Sequence, residues 1–259
     1  MNTVLALSGV VIKELYRRKD FYVLFVLTAL MTLISASANF FNDDKIVRYL
    51  KEICLLLIWI CSLVIAIVTT ARQIPAEREN RTIFPLLAKP VTRAQVILGK
   101  FLGCWLACGL VLVVFYLFFG VVAGSREHHF PVLHYFQAMC LHWLMLGVTI
   151  ALVLFGSVVF TAPSSNTTIC FIVVVGILLV GKHLGEVAVR LGEPRRSILY
   201  TLYFLIPHLE WYDIRDLIAF DHPLVPWKYC VVVAVYAAVY VAFLLWAAWM
   251  VFRRKALNV

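Results

Sequence analysis

The sequence has little charge for its length. Only 14% of its 259 residues are Asp, Glu, Lys or Arg, whereas an average soluble domain is about 25% charged. Hydrophobic residues make up 63% of the chain, and its mean hydropathy is +0.94. A soluble fold of this length cannot bury so much apolar surface, because much of any such globule lies at its surface. The composition therefore excludes soluble enzymes, nucleic-acid-binding proteins and disordered chains, and it predicts an integral membrane protein.

Charged residues are almost missing from six long stretches of the chain. Each is close to the roughly 20 apolar residues that a helix needs to cross a bilayer. Strands of a membrane barrel alternate apolar and polar residues, and runs such as residues 54–60 (CLLLIWI) do not. We therefore predict an all-α, polytopic membrane protein that forms a single transmembrane domain over residues 1–259. The predicted spans are residues 21–41, 53–71, 97–124, 138–162, 167–181 with its flanks, and 229–252.

The distribution of basic residues predicts which side of the membrane holds the termini. Six spans place both termini on one side, and that side receives 13 of the 23 Lys and Arg residues but only 4 of the 14 acidic ones. Segments rich in Lys and Arg stay in the cytoplasm. We therefore expect cytoplasmic termini, with the whole net charge of +9 on that side.

Two segments outside the spans have a helical pattern. Residues 1–20 carry Val4, Leu7, Val11 and Leu15 at spacings of three and four, which predicts an interfacial helix; it has a docking role or only anchors the first span. Residues 182–228 contain an apolar run, 197–206, that is too short to cross a bilayer. It predicts a re-entrant or interfacial helix in a long outer segment.

Ionisable residues are scarce inside the predicted spans. Ion-driven transporters keep such residues in the bilayer, and voltage sensors need a ladder of Arg residues. Here Lys100, His142 and Lys182 lie near span ends, where a long side chain can reach the interface. If the protein transports a substrate, we expect the energy to come from outside the membrane.

Motifs for catalysis, nucleotide binding or metal binding are weak. Residues 176–182 match G-x-x-x-x-G-K but lack the Ser or Thr that holds magnesium and lack a preceding strand. Cys104 and Cys108 share a helix face without a further ligand, which favours packing. His128, His129 and His134 cluster in a short outer loop that fits a solvated turn better than a metal site. We expect no catalytic residue, metal or cofactor in this chain.

Glycines at the start of the third span predict a close helix contact. Gly99 and Gly103 form a G-x-x-x-G pair, which lets two helix backbones approach. Because Lys100 lies between them near the interface, we expect this contact to form within the chain rather than between two copies.

The loop over residues 72–96 has the most distinctive pattern. Pro75 suits the first turn of a helix, and Pro85 ends or bends one. The segment between them is charged at first and apolar after residue 82. Such a helix fits a docking surface for a soluble partner, and a solvated hairpin tip is the alternative.

Three motifs in and after this loop resemble the signature of ABC-2-type transporter permeases. Residues 77–83 (ERENRTI) resemble the E-x-E-x-G-T-I stretch, 86–93 (LLAKPVTR) the L-L-x-x-P-x-x-R stretch, and 97–103 (ILGKFLG) the L-G-K-x-x-G stretch. The chain differs from the pattern at Arg81, where the family usually has Gly, and at Pro85. Within the family, the chain resembles the permease of the nitrous-oxide-reductase maturation system.

The resemblance implies a function and a mechanism. Such permeases work in pairs, here a predicted homodimer, in the bacterial cytoplasmic (inner) membrane. They dock on a separate ABC-type ATP-binding subunit, which holds ATP and magnesium, and they are exporters that are not themselves enzymes. The residues expected to contact the ATP-binding subunit are Glu77, Arg78, Glu79, Arg81, Thr82, Ile83, Leu86 and Leu87, with Lys13, Glu14 and Arg17 as a second contact.

Other functions fit part of the pattern. A membrane scaffold, or a subunit of a membrane enzyme, would dock a soluble partner without transporting anything. A passive channel would need no ATP-binding subunit. The path of the substrate is not predicted by any motif.

Overall fold

The computed structural model describes residues 2–17, 22, 26, 29–30, 44–79, 91–127, 132–190, 192–193, 195–220 and 222–254. These residues form helices and turns, and no strand occurs among them, which confirms the all-α prediction. In chain order the elements are α1 (Asn2–Arg17), α2 (Asp44–Ala71), α3 (Pro75–Glu79), α4 (Arg93–Glu127), α5 (Val132–Val159), α6 (Pro163–Arg190), α7 (Arg195–Leu205), a 3-10 turn (Leu209–Tyr212), α8 (Arg215–Ala219) and α9 (Trp227–Arg254).

Five helices are long and apolar enough to cross a membrane. They are Lys51–Glu79, Arg93–Val121, Val132–Val159, Pro163–Gly181 and Trp227–Arg254. They coincide with five of the six predicted spans, and the protein is a multi-pass membrane protein. The first predicted span, residues 21–41, lies outside the described residues except for positions 22, 26, 29 and 30.

The bundle has two ends, which we name by what they carry. The α3 end holds α3, the start of α4 and the end of α9, and the far end holds α7, the 3-10 turn and α8. Helix α5 lies at the centre and packs against α2, α4, α6 and α9. Of its most apolar stretch 67% is buried, against 28% in α6 and 17% in α9. Helices α6 and α9 therefore leave large apolar surfaces for lipid or another chain.

Helices α4 and α5 are joined by two tryptophans that exchange hydrogen bonds. The indole Nε1 of Trp105 donates to the carbonyl of Trp143 at 3.0 Å, and Nε1 of Trp143 donates to the carbonyl of Trp105 at 3.1 Å. The two rings stack with centroids 4.6 Å apart. Each indole lies over a glycine four residues further along the other helix, Gly109 or Gly147. A side chain at either glycine would overlap an indole.

Helix α1 lies along the first turns of α4. A Cβ on Gly99 would lie 2.7 Å from Cβ of Leu7, and one on Gly103 would lie 2.7 Å from Cβ of Val11. The glycine pair therefore packs within the chain, as the sequence predicted. The later residue of α1, Val11, contacts the later glycine of α4, Gly103, so α1 and α4 run in the same direction away from the α3 end.

The segment after α6 folds back onto the bundle. Helix α6 continues through Arg190, nine residues beyond the predicted end of the fifth span at Gly181. The short apolar run then forms α7, as expected, and the 3-10 turn packs against α5 and α6. Helix α8 packs against α2 and α5, so the far end of the bundle is covered by this segment.

The seven cysteines form no disulfide. Five of them, Cys54, Cys61, Cys104, Cys108 and Cys170, are buried, and Cys140 and Cys230 are half-buried. This distribution agrees with their expected role as small apolar residues.

Candidate functional site

The predicted docking segment begins as a continuation of α2. After the turn at residues 72–74, the amide of Ala76 donates to the carbonyl of Arg72 at 3.0 Å and that of Arg78 to the carbonyl of Ile74 at 3.1 Å. Pro75 opens α3, where a missing N–H costs nothing. Ile74 and Pro75 are both buried, so α3 is fixed to the end of α2 instead of hanging from it.

Glu77 binds a lysine of the next helix. Nζ of Lys100 donates to Oε1 of Glu77 at 2.6 Å and to Oε1 of Gln73 at 3.2 Å. The side chain of Lys100 is 4% exposed and that of Glu77 is 27% exposed. A buried charge is tolerated only when it is paired and hydrogen-bonded. Glu77 therefore joins α3 to α4 rather than offering a free carboxylate to a partner.

Arg78 and Arg93 lie on the last aromatic ring of α9. Their guanidinium carbons lie 5.9 Å and 5.4 Å from the centroid of the Phe252 ring, which is within the range of cation–π attraction. Nη1 of Arg93 also donates to the carbonyls of Phe252 at 2.6 Å and of Arg253 at 3.0 Å. The last carbonyls of a helix lack partners within it and favour a nearby positive charge, so Arg93 caps α9.

Arg78 also has donors left for another molecule. Its Nε and Nη2 are buried and make no hydrogen bond within the part of the chain that the structure describes. A buried guanidinium N–H without an acceptor is costly. An acceptor oxygen brought by a partner would relieve that cost.

Glu79 is the exposed residue of α3. The other carboxylate of α3, that of Glu77, is only partly exposed and is paired with Lys100. Arg81, Thr82, Ile83, Leu86 and Leu87 lie outside the described residues.

The second predicted contact lies away from α3. Lys13, Glu14 and Arg17 are exposed on α1, whereas Val11 and Leu15 are buried. Since Leu7 is level with Gly99 and a helix rises about 1.5 Å per residue, Arg17 lies about 15 Å further along α4. The early turns of α1, rather than these three residues, are level with the α3 contacts.

Sequence reasoning missed a third contact at the α3 end. Nδ2 of Asn166, near the start of α6, donates to the carbonyl of Ala71 at 2.7 Å. Asn166 is fully buried, and the thiol of Cys170 donates to its Oδ1 at 3.2 Å. Gly156 on α5 leaves room for this pair, because a Cβ there would lie 2.9 Å from Oδ1 of Asn166. Asn166 lies in the polar stretch 164–168 (SSNTT) before the apolar part of α6, so no signal in the sequence set it apart from its neighbours.

The intramembrane histidine is held inside the bundle. Nε2 of His142 lies 2.8 Å from Oγ of Ser62, and Nδ1 lies 3.4 Å from the hydroxyl of Tyr116. His142 is buried. Both ring nitrogens thus have neutral partners, which fits a structural role better than ion coupling. The loop histidines His128 and His129 lie outside the described residues.

An ion pair fixes the start of α8. Arg215 donates to both carboxylate oxygens of Asp213, at 2.8 Å and 2.6 Å, and its guanidinium lies 4.7 Å from the ring centroid of Trp59 on α2. Burial acts to raise the pKa of Asp213, but the hydrogen bonds and charge of Arg215 outweigh it and hold the pKa below its ordinary value. This pair attaches the far segment to α2.

A second histidine lies in an aromatic cluster at the far end. The ring of His208 lies 4.2 Å from that of Tyr203 and 4.8 Å from that of Trp211, measured between centroids. Its Nδ1 lies 3.4 Å from Oε1 of Glu210. Burial lowers the pKa of His208, and the Glu210 carboxylate only partly opposes this. The neutral imidazole is therefore the form that the fold prefers.

Comparison with known families covers nearly the whole chain. The model of the family described as ABC-2 family transporter protein matches residues 10–257. That range includes α3, its contacts with α4, α6 and α9, and the far segment. No curated protein matches the sequence.

Proposed function

We propose, starting from the fact that the chain belongs to the ABC-2 family of transporter proteins, that this permease subunit is an exporter driven by a separate ATP-binding subunit. In this proposal the α3 end faces the cytoplasm, and ATP and magnesium bind to the partner. Two copies of the permease assemble in the bacterial inner membrane. The resemblance to the nitrous-oxide-reductase maturation permease stays a prediction.

The observation that carries the proposal is the construction of α3. It extends from a membrane-spanning helix, carries an exposed Glu79, and has an Arg78 whose buried Nε and Nη2 find no acceptor among the described residues. A rigid, charged helix with unsatisfied donors suits docking on a protein better than a solvated turn. The hydrogen bonds of His142 also support an external energy source, because its two ring nitrogens contact the hydroxyl groups of Ser62 and Tyr116 rather than a carboxylate.

We also propose two different roles for the predicted docking residues. Glu79 and Arg78 are proposed to contact the ATP-binding subunit, together with Arg81, Thr82, Ile83, Leu86 and Leu87 of the following loop. Glu77 is proposed to hold α3 against α4 through its ion pair with Lys100. The weakly buried α6 and α9 offer the surface for lipid and for a second permease copy.

The test is co-purification with a charge reversal. The permease is co-expressed with each ABC-type ATP-binding subunit of its own genome, and the bound subunit is quantified. We expect Glu79→Lys to lower the bound amount while leaving the permease folded, because the residue is exposed. The matched control is Glu193→Lys, which reverses an exposed carboxylate beyond α6, at the far end.

Four results would contradict the proposal. One is that no ATP-binding subunit binds the wild-type permease, and another is that Glu79→Lys binds it as well as the control does. A bound ATP-binding subunit whose ATP hydrolysis never alters the permease would favour a scaffold or an enzyme subunit. Solute flux through permease vesicles without ATP would favour a channel.

A further inference from the structure

We propose that three contacts, each made to a buried side chain, make residues 71–79 the part of the chain that moves α4, α6 and α9 together with α3. These contacts are Lys100 with Gln73 and Glu77, Asn166 with Ala71, and Phe252 with Arg78 and Arg93. We call this set the α3 hub. The inference rests on the proposed function and names positioning residues for it, namely Lys100, Asn166, Arg93 and Phe252.

The contact with α4 is an ion pair, although a pair of apolar side chains at this position would stabilise the fold as well. Lys100 is buried, and its two acceptors, Gln73 and Glu77, lie one helical turn apart on the segment that leads into α3. A buried ion pair seldom adds stability over well-packed apolar residues. It does fix direction and distance, because moving Glu77 away leaves a buried ammonium without its counter-ion.

The contact with α9 comes from both sides of the docking loop. Arg78 lies at the end of α3 and Arg93 at the start of α4, and both guanidinium groups face the fully buried ring of Phe252. Arg93 also holds two of the last carbonyls of α9. Both ends of the loop therefore contact the end of α9. We expect α9 to move when either end of the loop moves.

The contact with α6 joins backbone to side chain. Asn166 reaches the carbonyl of Ala71, the last residue of α2, at 2.7 Å. Gly156 on α5 lies against the same side chain. The first turns of α6 are thereby fixed to the point at which α2 passes into α3.

Taken together, nine consecutive residues contact three other spanning helices. Because Lys100, Asn166 and Phe252 are buried and interiors are packed as densely as crystals, we expect that a displacement of α3 is not absorbed locally. Such a displacement shifts the helix ends that are attached to α3. Discrete changes of packing of this kind couple distant parts of a protein.

The first test exchanges the charges of the ion pair. The variants are Lys100→Glu, Glu77→Lys and the two combined, with Lys228→Glu as the control for loss of a lysine at the far end. Each is purified with the ATP-binding subunit, and hydrogen exchange of residues 195–219 is compared between the ATP-free state and the state trapped with ATP and vanadate.

We expect the wild type and the control to show an ATP-dependent change in exchange at the far end. Each single variant should keep the bound ATP-binding subunit and lose that change, and the double variant should regain it. Retention of the change in Lys100→Glu, or its absence from a folded double variant, overturns the inference. Absence of the change from the wild type contradicts the proposed function itself, and the inference with it.

A milder series covers the case in which reversing the charge of Lys100 prevents folding. Phe252→Leu keeps an apolar side chain but removes the ring that both arginines face, whereas Phe252→Tyr keeps the ring. Phe243→Leu changes an exposed phenylalanine of the same helix and is the control. Loss of the exchange change in Phe252→Leu alone supports the inference, and equal responses in all three variants overturn it.

Discussion

At the scale of single residues, two tryptophan–glycine pairs hold the centre of the bundle. The motif W-x-x-x-G occurs at Trp105–Gly109 and again at Trp143–Gly147. Each indole covers the other helix's glycine and donates to the other tryptophan's carbonyl. The repeat is visible in the sequence, but its meaning depends on the register of α4 against α5, which no local pattern specifies.

This arrangement predicts a large effect for a small substitution. In Gly109→Ala the new Cβ would lie 2.6 Å from Nε1 of Trp143, so the indole has to move and its hydrogen bond is lost. We expect a loss of about 1–3 kcal/mol in the free energy of unfolding, which is typical of overpacking. The control is Gly176→Ala, where nothing lies within 4 Å. Unfolding in detergent measures both, and an equal effect of the two substitutions would contradict the packing described.

The α3 residues show what sequence reasoning can and cannot reach. The motif predicted a short charged helix, and Pro75–Glu79 is helical with Glu79 exposed; the docking role of Glu79 stays a prediction. The pairing of Glu77 with Lys100 was missed, because it depends on how α4 returns beside α3 after 23 residues. Asn166 was missed for the same reason, since its acceptor is a backbone carbonyl 95 residues away.

His208 predicts a pH dependence at the far end. Because the fold lowers the pKa of this imidazole below its ordinary value of 6.5, the unfolded chain takes up the proton first as the pH falls. Stability therefore declines from about pH 6.5 downwards, until the folded protein is protonated as well. The pKa of Asp213 is lowered from 3.8, so its contribution is lost only in stronger acid.

The measurement is the midpoint of thermal unfolding at pH 7.5 and pH 5.5. The wild type should lose more stability on acidification than His208→Phe, whose ring fits the aromatic cluster without titrating. His183→Phe, at an exposed position of α6, serves as the control and should behave as the wild type does. The same pH dependence in wild type and His208→Phe would rule out His208 as the cause.

At the scale of elements, it was easier to predict that a helix forms than to predict the residues at which it begins and ends. Apolar runs specify a spanning helix because a bilayer rejects unsatisfied backbone groups. The predicted fifth span and the apolar stretch in the structure both end at Gly181, whereas α6 itself continues to Arg190, since a helix outside the bilayer needs no apolar side chains. The contacts of α1 and of the far segment depend on packing between distant elements and could not be derived from local pattern.

The position of α1 on α4 yields a second structural prediction. Gly103→Leu would place a bulky side chain where Val11 already lies, 2.7 Å from its Cβ. We expect α1 to separate from α4, so that trypsin cleaves faster after the exposed Lys13 and Arg17. Gly9→Leu, on the open side of α1, is the control. Unchanged cleavage in Gly103→Leu would contradict the contact.

At the scale of the whole molecule, composition and the loop motifs predicted an α-helical membrane protein of the ABC-2 family, and both predictions are confirmed. The chain brings little charge into its spans, and the charged residues it does bury at the α3 end are joined to one another or to helix ends. This scarcity of charge in the spans fits the proposal that a partner drives the subunit from the α3 end and that packed side chains transmit the movement.

The central claim is that α3 receives the ATP-binding subunit, and cross-linking tests it most directly. Glu79 is replaced by the photoreactive residue p-benzoylphenylalanine, and a second protein carries the same replacement at Glu193. Both are expressed in cells of the source organism and irradiated, and the adducts are identified by mass spectrometry. The account predicts an adduct with an ABC-type ATP-binding subunit from position 79 and none from position 193. Adducts that contain no ATP-binding subunit, or equal adducts from the two positions, would contradict it.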